Sequence, residues 1–134
     1  QDPMGGNHPL SDFAKANLVT ALASRPQAYS VLAFAGLQPV GLVNCIEGFS
    51  TFACRPLVNV HDVAVLASHR GQGVAEKMLA LAESIALERG ACKLTLEVLQ
   101  GNVGACRLYR RIGFANYELD PAMGQAQFMQ KWLN

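Results

Sequence analysis

Residues 60–89, reading VHDVAVLASHRGQGVAEKMLALAESIALER, constrain the fold of this chain more than any other stretch, because they demand a strand, a glycine-rich turn and a helix in succession. Val60 to Leu66 is short and β-branched, with Val63 and Val65 alternating against Asp62 and Ala64, the pattern of a largely buried strand. Ser68, His69, Arg70 and Gly71 end it. From Ala75 onward, Met78, Leu79, Ala82, Ile85 and Ala86 fall on one stripe of an amphipathic helix, which Gly90 stops.

The turn Arg70-Gly71-Gln72-Gly73-Val74-Ala75 places two glycines and a small residue at the start of that helix. Glycine permits close approach of the backbone to a ligand. The first N–H groups of a helix have no internal partners and lie at the positive end of its dipole, so an anion such as a pyrophosphate fits there. Taken alone, the glycines serve equally well as a plain strand-to-helix turn. Two familiar phosphate motifs fail: the dinucleotide fingerprint needs a small residue where Glu76 stands, and the P-loop spacing is absent.

What fits is Arg/Gln-x-x-Gly-x-Gly/Ala, read as Arg70-x-x-Gly73-x-Ala75. It resembles the pyrophosphate-binding turn of the GNAT superfamily, the acetyl-CoA-dependent N-acetyltransferases. A second stretch, Asn102 to Phe114, matches every fixed position of N-x-x-A-x-x-L/F-Y-x-x-x-G-F, which is similar to the family's second cofactor segment. The resemblance runs from about Tyr29 to the C-terminus. It implies an α/β domain on a mixed sheet, the GNAT-like acyl-CoA N-acyltransferase fold, whose first strand and helix have no counterpart here. Residues 1–134 are thus expected to form a single N-acetyltransferase domain, incomplete at its N-terminus.

Other bounds are negative. Net charge is +1, from 11 basic and 10 acidic residues, with no block of like charge to suggest nucleic acid or an anionic membrane. Cys45, Cys54, Cys92 and Cys106 form no C-x-x-C pair and have no histidine at metal spacing, so no metal is expected. They read as reduced thiols of a soluble, cytoplasmic protein. No apolar run approaches the roughly 20 residues of a membrane span. A homodimer is left open, as are small-molecule and protein substrates.

Along the chain, residues 1–9 have loop composition, and Leu10 to Ser24 reads as a helix with Phe13, Ala14, Leu18, Ala21 and Leu22 on one face. Tyr29–Ala35 and Val40–Ile46 form an expected hairpin, and Glu47 to Pro56 an expected loop. Lys93 to Val98 alternates cleanly as a strand, and Asn102 caps a second helix with Ala105, Leu108, Tyr109 and Ile112 on one stripe. The resulting βαβα unit calls for parallel central strands. Phe114–Leu119 and Ala126–Trp132 are expected to close the sheet as a hairpin.

Amine acetylation requires a held donor, an unprotonated acceptor nitrogen, a polarised carbonyl and a proton for the departing thiolate. The resemblance implies that Arg70, Gly71, Gln72, Gly73, Val74 and Ala75 hold the pyrophosphate of acetyl-CoA, which is a co-substrate. It also implies that backbone groups of Val63 and Val65 hold the pantetheine arm in a V-shaped gap before the Leu94–Val98 strand, with an N–H near Val63 polarising the thioester. By the same match Tyr109 would protonate the coenzyme A thiolate and Asn102 would bind pantetheine or orient water. The plainer readings are a core tyrosine and a helix cap. Cys106 has no partnered base in sequence and reads as packing.

The general base is open among Glu47, Asp62 and His61; a half-buried strand residue is the alternative reading of His61. The run Ser50-Thr51-Phe52-x-x-Arg55-Pro56 with His61-Asp62-Val63-Ala64-Val65 is similar to the diamine and thialysine acetyltransferase branch, where an acidic pair stands at the positions of His61-Asp62. Acceptor residues are expected from Leu10–Ser24 and Glu47–Arg55, whose Glu47, Phe49 and Phe52 join Asp62 to favour a small-molecule or amino-acid-like amine. A protein N-terminus or lysine, and a non-catalytic acyl-CoA-binding module, are the alternatives.

Overall fold

A computed structural model describes residues 10–117, 121–124 and 126–133. Four strands, β1 (Ala28–Ala35), β2 (Gln38–Ser50), β3 (Arg55–Val65) and β4 (Leu94–Leu96), lie in the order β1-β2-β3-β4. The first three are antiparallel, whereas β3 and β4 are parallel, because the intervening α2 (Val74–Glu88) carries the chain back across the sheet. Helices α1 (Asp12–Ala23) and α3 (Val103–Arg111) and the short 3-10 turns Ala67–His69 and Pro121–Met123 complete the regular structure among the described residues.

The core lies between α2 and one face of the sheet. Met78, Leu79, Ala82 and Ala86 of α2 meet Val31, Val43, Cys45, Val58 and Val60, all buried. Each fully buried valine contributes roughly 1.5–3 kcal/mol. Helix and sheet are closest at Gly41, where an added Cβ would come within 2.8 Å of the Met78 methyl and 3.2 Å of Val74 Cγ1. Alternation sends Asn44 and Asn59, each between core residues, to the opposite face.

Several boundaries differ from the sequence expectation. The expected loop at 47–56 is mostly strand, because β2 runs to Ser50 and β3 begins at Arg55 in continuous antiparallel register. Cross-strand pairing thus overrides a locally irregular sequence. Conversely β4 covers only Leu94–Leu96 rather than 93–98, since its parallel partner leaves it after three residues. The closing hairpin is not formed among the described residues: 114–117 and 126–133 contain no strand, and Phe128, Met129 and Trp132 are exposed. Leu119 and Asp120 lie outside those residues. Helix α1 forms, with the Ser11 hydroxyl accepting the Ala14 N–H at 3.2 Å, yet its apolar face is not buried. Only Ala14 and Leu22 are half-covered and Phe13 is 78% exposed, because α1 packs mainly on the edge strand β1.

Candidate active site

The parallel pairing of β3 with β4 is confined to Val58–Leu94, Asn59–Thr95 and Val60–Leu96. Beyond Val60, β3 continues to Val65 against β2 only, so the two parallel strands part. At the parting point β3 carries a bulge: Cys45 pairs with Val60 and Asn44 with Asp62, leaving His61 without a partner on β2. The Leu66 N–H donates to the Val40 carbonyl at 2.9 Å. In that antiparallel phase the backbone groups of Val63 and Val65 turn away from β2, toward the opening. The Val65 carbonyl there accepts Arg70 Nε at 3.1 Å.

The opening leads to the glycine turn. Gly71 and Gly73 have φ of +75° and +80°, the left-handed region where a Cβ is strained, although no atom lies within 4 Å of a Cβ at either position. Gly73 is the N-cap of α2, and the first helical bond runs from the Lys77 N–H to the Gly73 carbonyl at 3.1 Å. The N–H groups from Gly71 through Val74 and Ala75 to Glu76 find no acceptor among the described residues. Gln72 folds back, its Nε2 donating to the Ser68 carbonyl at 3.4 Å. Unpaired amides at the positive end of a fifteen-residue helix, with open space above the glycines, are a donor set suited to a pyrophosphate.

On α3, Asn102 is the N-cap, its Oδ1 accepting the Ala105 N–H at 3.3 Å. Tyr109 packs against the core and meets Phe114 edge-on at 5.9 Å. Burial, and secondarily Cys106, push its phenol above the ordinary value, so the hydroxyl keeps its proton at neutral pH. That hydroxyl makes no hydrogen bond among the described residues. Cys106 donates to the Leu99 carbonyl at 3.6 Å and has no base beside it. Among the described residues no three His, Cys, Asp or Glu side chains cluster as a metal site.

The acidic candidates fall on opposite faces. Glu47 lies on the helix face, its Oε1 accepting from Arg89 Nη1 at 3.2 Å, while Arg89 also donates to the Pro26 carbonyl and stacks over Tyr29 at 4.7 Å. Glu47 pairs with Val58, toward the end of β3 remote from the opening. Asp62 lies on the other face beside the bulge, where a polar chain crosses three strands. Ser30 Oγ donates to Asn44 Oδ1 at 2.6 Å, and Asn44 Nδ2 donates to Asp62 Oδ2 at 3.0 Å. Phe49 and Phe52 are exposed, and Phe52 makes no packed loop. The structure thus groups His61 and Asp62 near Val63 and Val65 and leaves Glu47 apart. Sequence reasoning missed Ser30, Asn44, Asn59 and Thr95; a lone amide inside the apolar run 40–46 was the available signal for Asn44.

The sequence model of the acetyltransferase (GNAT) family matches residues 3–114. This chain belongs to that family. It is 37% identical over 89 residues to the streptothricin acetyltransferase of Streptomyces lavendulae, which covers 64% of this chain and 47% of that protein. The thialysine N-epsilon-acetyltransferase of Bos taurus is 34% identical over 65 residues, 48% of this chain and 38% of that protein. The chain therefore spans less than half the length of these curated relatives. The solved structure of AAC(6')-Iy in complex with bisubstrate analog CoA-S-monomethyl-acetylneamine superposes with a TM-score of 0.77 at 19% identity, over 97% of this chain and 85% of that one. The GNAT fold expected from the two motifs is thereby shown, whereas the resemblance to the thialysine branch rests on a shorter match than that to streptothricin acetyltransferase.

Proposed function

We propose that this protein transfers the acetyl group of acetyl-CoA directly to a primary amine of a small, cationic acceptor. The observation that carries the reading is the parting of β3 from β4 beside a helix N-terminus whose amides have no internal partner. When bound, acetyl-CoA supplies an acyl carbon already activated as a thioester. Amides of residues 71–76 bind its pyrophosphate, the outward backbone groups of Val63 and Val65 hold the pantetheine arm, and the N–H at Val63 polarises the carbonyl. Tyr109, kept protonated by burial, gives a proton to the departing sulfur, and Asn102, the N-cap of α3, binds pantetheine or orients water.

Asp62 attracts and orients the acceptor ammonium, held by the Ser30–Asn44 chain. Glu47, neutralised by Arg89, serves the fold in this reading. A small-molecule amine is favoured by the streptothricin acetyltransferase relative and by the bisubstrate complex of the structural neighbour. The test is release of free thiol from acetyl-CoA with streptothricin, neamine, thialysine, spermidine and a peptide with a free N-terminus. Turnover with one of the first four is expected. Acetyl-CoA binding with no turnover on any amine would reassign the chain to a non-catalytic acyl-CoA-binding module, and turnover on the peptide alone to a protein acetyltransferase.

A further inference from the structure

We propose that His61 is the general base of this site and that Asn59, anchored on β4, fixes its tautomer; the proposal rests on the acetyl-transfer reading above. His61 is the bulged residue of β3, and it follows Val60, the last residue paired with β4. It therefore stands at the mouth of the opening, two residues before Val63. The bulge puts His61 and Asp62 on the same face, together with Asn59, because the side chains of Asn59 and His61 touch and Asn44 reaches Asp62.

The hydrogen bonds determine which ring nitrogen carries the proton. Asn59 Nδ2 lies 3.0 Å from Thr95 Oγ1 and 3.5 Å from the Thr95 carbonyl. A carbonyl oxygen only accepts, so the NH₂ of the amide faces Thr95 and the Oδ1 faces the histidine. His61 Nδ1, at 3.2 Å from that Oδ1, must then donate. The neutral ring carries its proton on Nδ1 and its lone pair on Nε2, the arrangement a proton acceptor requires. Two strands that separate immediately beyond this point are cross-linked by the amide that orients the base.

Most of the titratable groups around His61 already have partners. On its own strand, Asp62 is hydrogen-bonded by Asn44. On β2, Cys45 is buried in the core and Glu47 is paired with Arg89 on the helix face. Flanking β4, Lys93 stands over the Tyr117 ring at 5.3 Å, and Glu97 follows the strand's end. In the reaction the acceptor ammonium gives one proton to His61 Nε2, and the freed lone pair forms the bond to the acetyl carbon. The carbon–sulfur bond breaks with its electron pair on sulfur, and Tyr109 protonates that sulfur. Of the two protons the nitrogen sheds, one reaches solvent through His61 and the other returns to the Tyr109 phenolate, which restores the acid.

Two measurements test the assignment. Nitrogen-15 NMR of the free protein at pH 8 is expected to show His61 with a protonated Nδ1 and an unprotonated Nε2, and Asn59→Leu to release this preference; a protonated Nε2 in the unaltered protein overturns the proposal without reference to turnover. With the amine that the thiol-release panel selects, His61→Gln is expected to lower kcat by about 10²-fold or more and to remove the acidic limb of the pH profile, while acetyl-CoA binding by calorimetry is unchanged. Asn59→Leu should keep that limb and lose about tenfold in kcat, the signature of a positioning residue. A His61→Gln variant that retains both rate and limb overturns the base assignment while leaving acetyl transfer standing. Absence of turnover by the unaltered protein on every amine sinks the acetyl-transfer reading and this proposal with it.

Discussion

The two sides of the opening are built by different means. The proposed donor side is continuous in sequence: the end of β3, the turn at 70–75 and the first turn of α2 follow one another, and the groups it offers are backbone amides. The proposed acceptor side is assembled from Ser30, Asn44, Asn59, Asp62 and Thr95, which come from four strands and would act through side chains. The donor side should fail when backbone geometry is disturbed and tolerate side-chain changes. The acceptor side should respond in the opposite way.

The largest effect is expected from Gly73→Val. A β-branched residue at φ +80° is strained by roughly 1–2 kcal/mol, and its side chain occupies the open space where the pyrophosphate would approach. Calorimetry should find acetyl-CoA affinity lowered at least 100-fold with the far-UV spectrum retained; unchanged affinity would remove the turn from the donor side. Tyr109→Phe comes next. It keeps the ring against Phe114 and deletes the proton, so kcat should fall about 10²-fold at constant acetyl-CoA affinity. Because burial raises the phenol above its usual value of about 10, the acid stays loaded and the alkaline limb of the unaltered enzyme should lie above pH 10. The same sign applies to stability: the contribution of the neutral buried phenol is complete below the unfolded value of about 10 and is lost as pH rises through the higher folded value. Equal loss of acetyl-CoA binding in both variants would dissolve the division between holding the donor and protonating it.

Asn44→Leu probes the acceptor side at its buried link, Asn44 being 9% exposed. Loss of the hydrogen bonds to Ser30 and Asp62 should cost about 1–3 kcal/mol in denaturant unfolding. It should also raise the acceptor KM several-fold with acetyl-CoA affinity unaltered; a matched fall in donor affinity would show that the two sides are not separable. The smallest effect is expected at Arg111→Ala. The Arg111–Glu76 pair, at 2.8 Å, joins α3 to the first turn of α2 but is 62% and 46% exposed, so thermal unfolding should register no more than about 0.5 kcal/mol.

The contrast explains what could be read from the sequence. Val63, Val65, the turn and the α2 stripe were legible because strand alternation, glycine and helical period are local properties, and Met78, Leu79, Ala82 and Ala86 are buried as their spacing requires. The role of Glu47 was not legible. It stood beside the expected acceptor loop as a free carboxylate, and only the packing of the α2 C-terminus brings Arg89 onto it. The extent of β4 and the loop at 47–56 were misread for a related reason: a strand ends where its neighbour leaves, and neighbours are remote in sequence.

The chain by itself determined the order of strand, turn and helix, the free amides at the head of α2 and the signature from Asn102 to Phe114, since each depends on residues within a few positions of one another. Tertiary structure alone decided that β3 bulges at His61, that β4 parts from it one residue earlier, and that an asparagine on β3 faces a threonine on β4. Register is a relation between strands, and a slip of one residue would turn Asn44, Asn59 and Asp62 to the opposite face. It is settled by the valines that must meet α2, so the placement of the polar residues is a consequence of core packing.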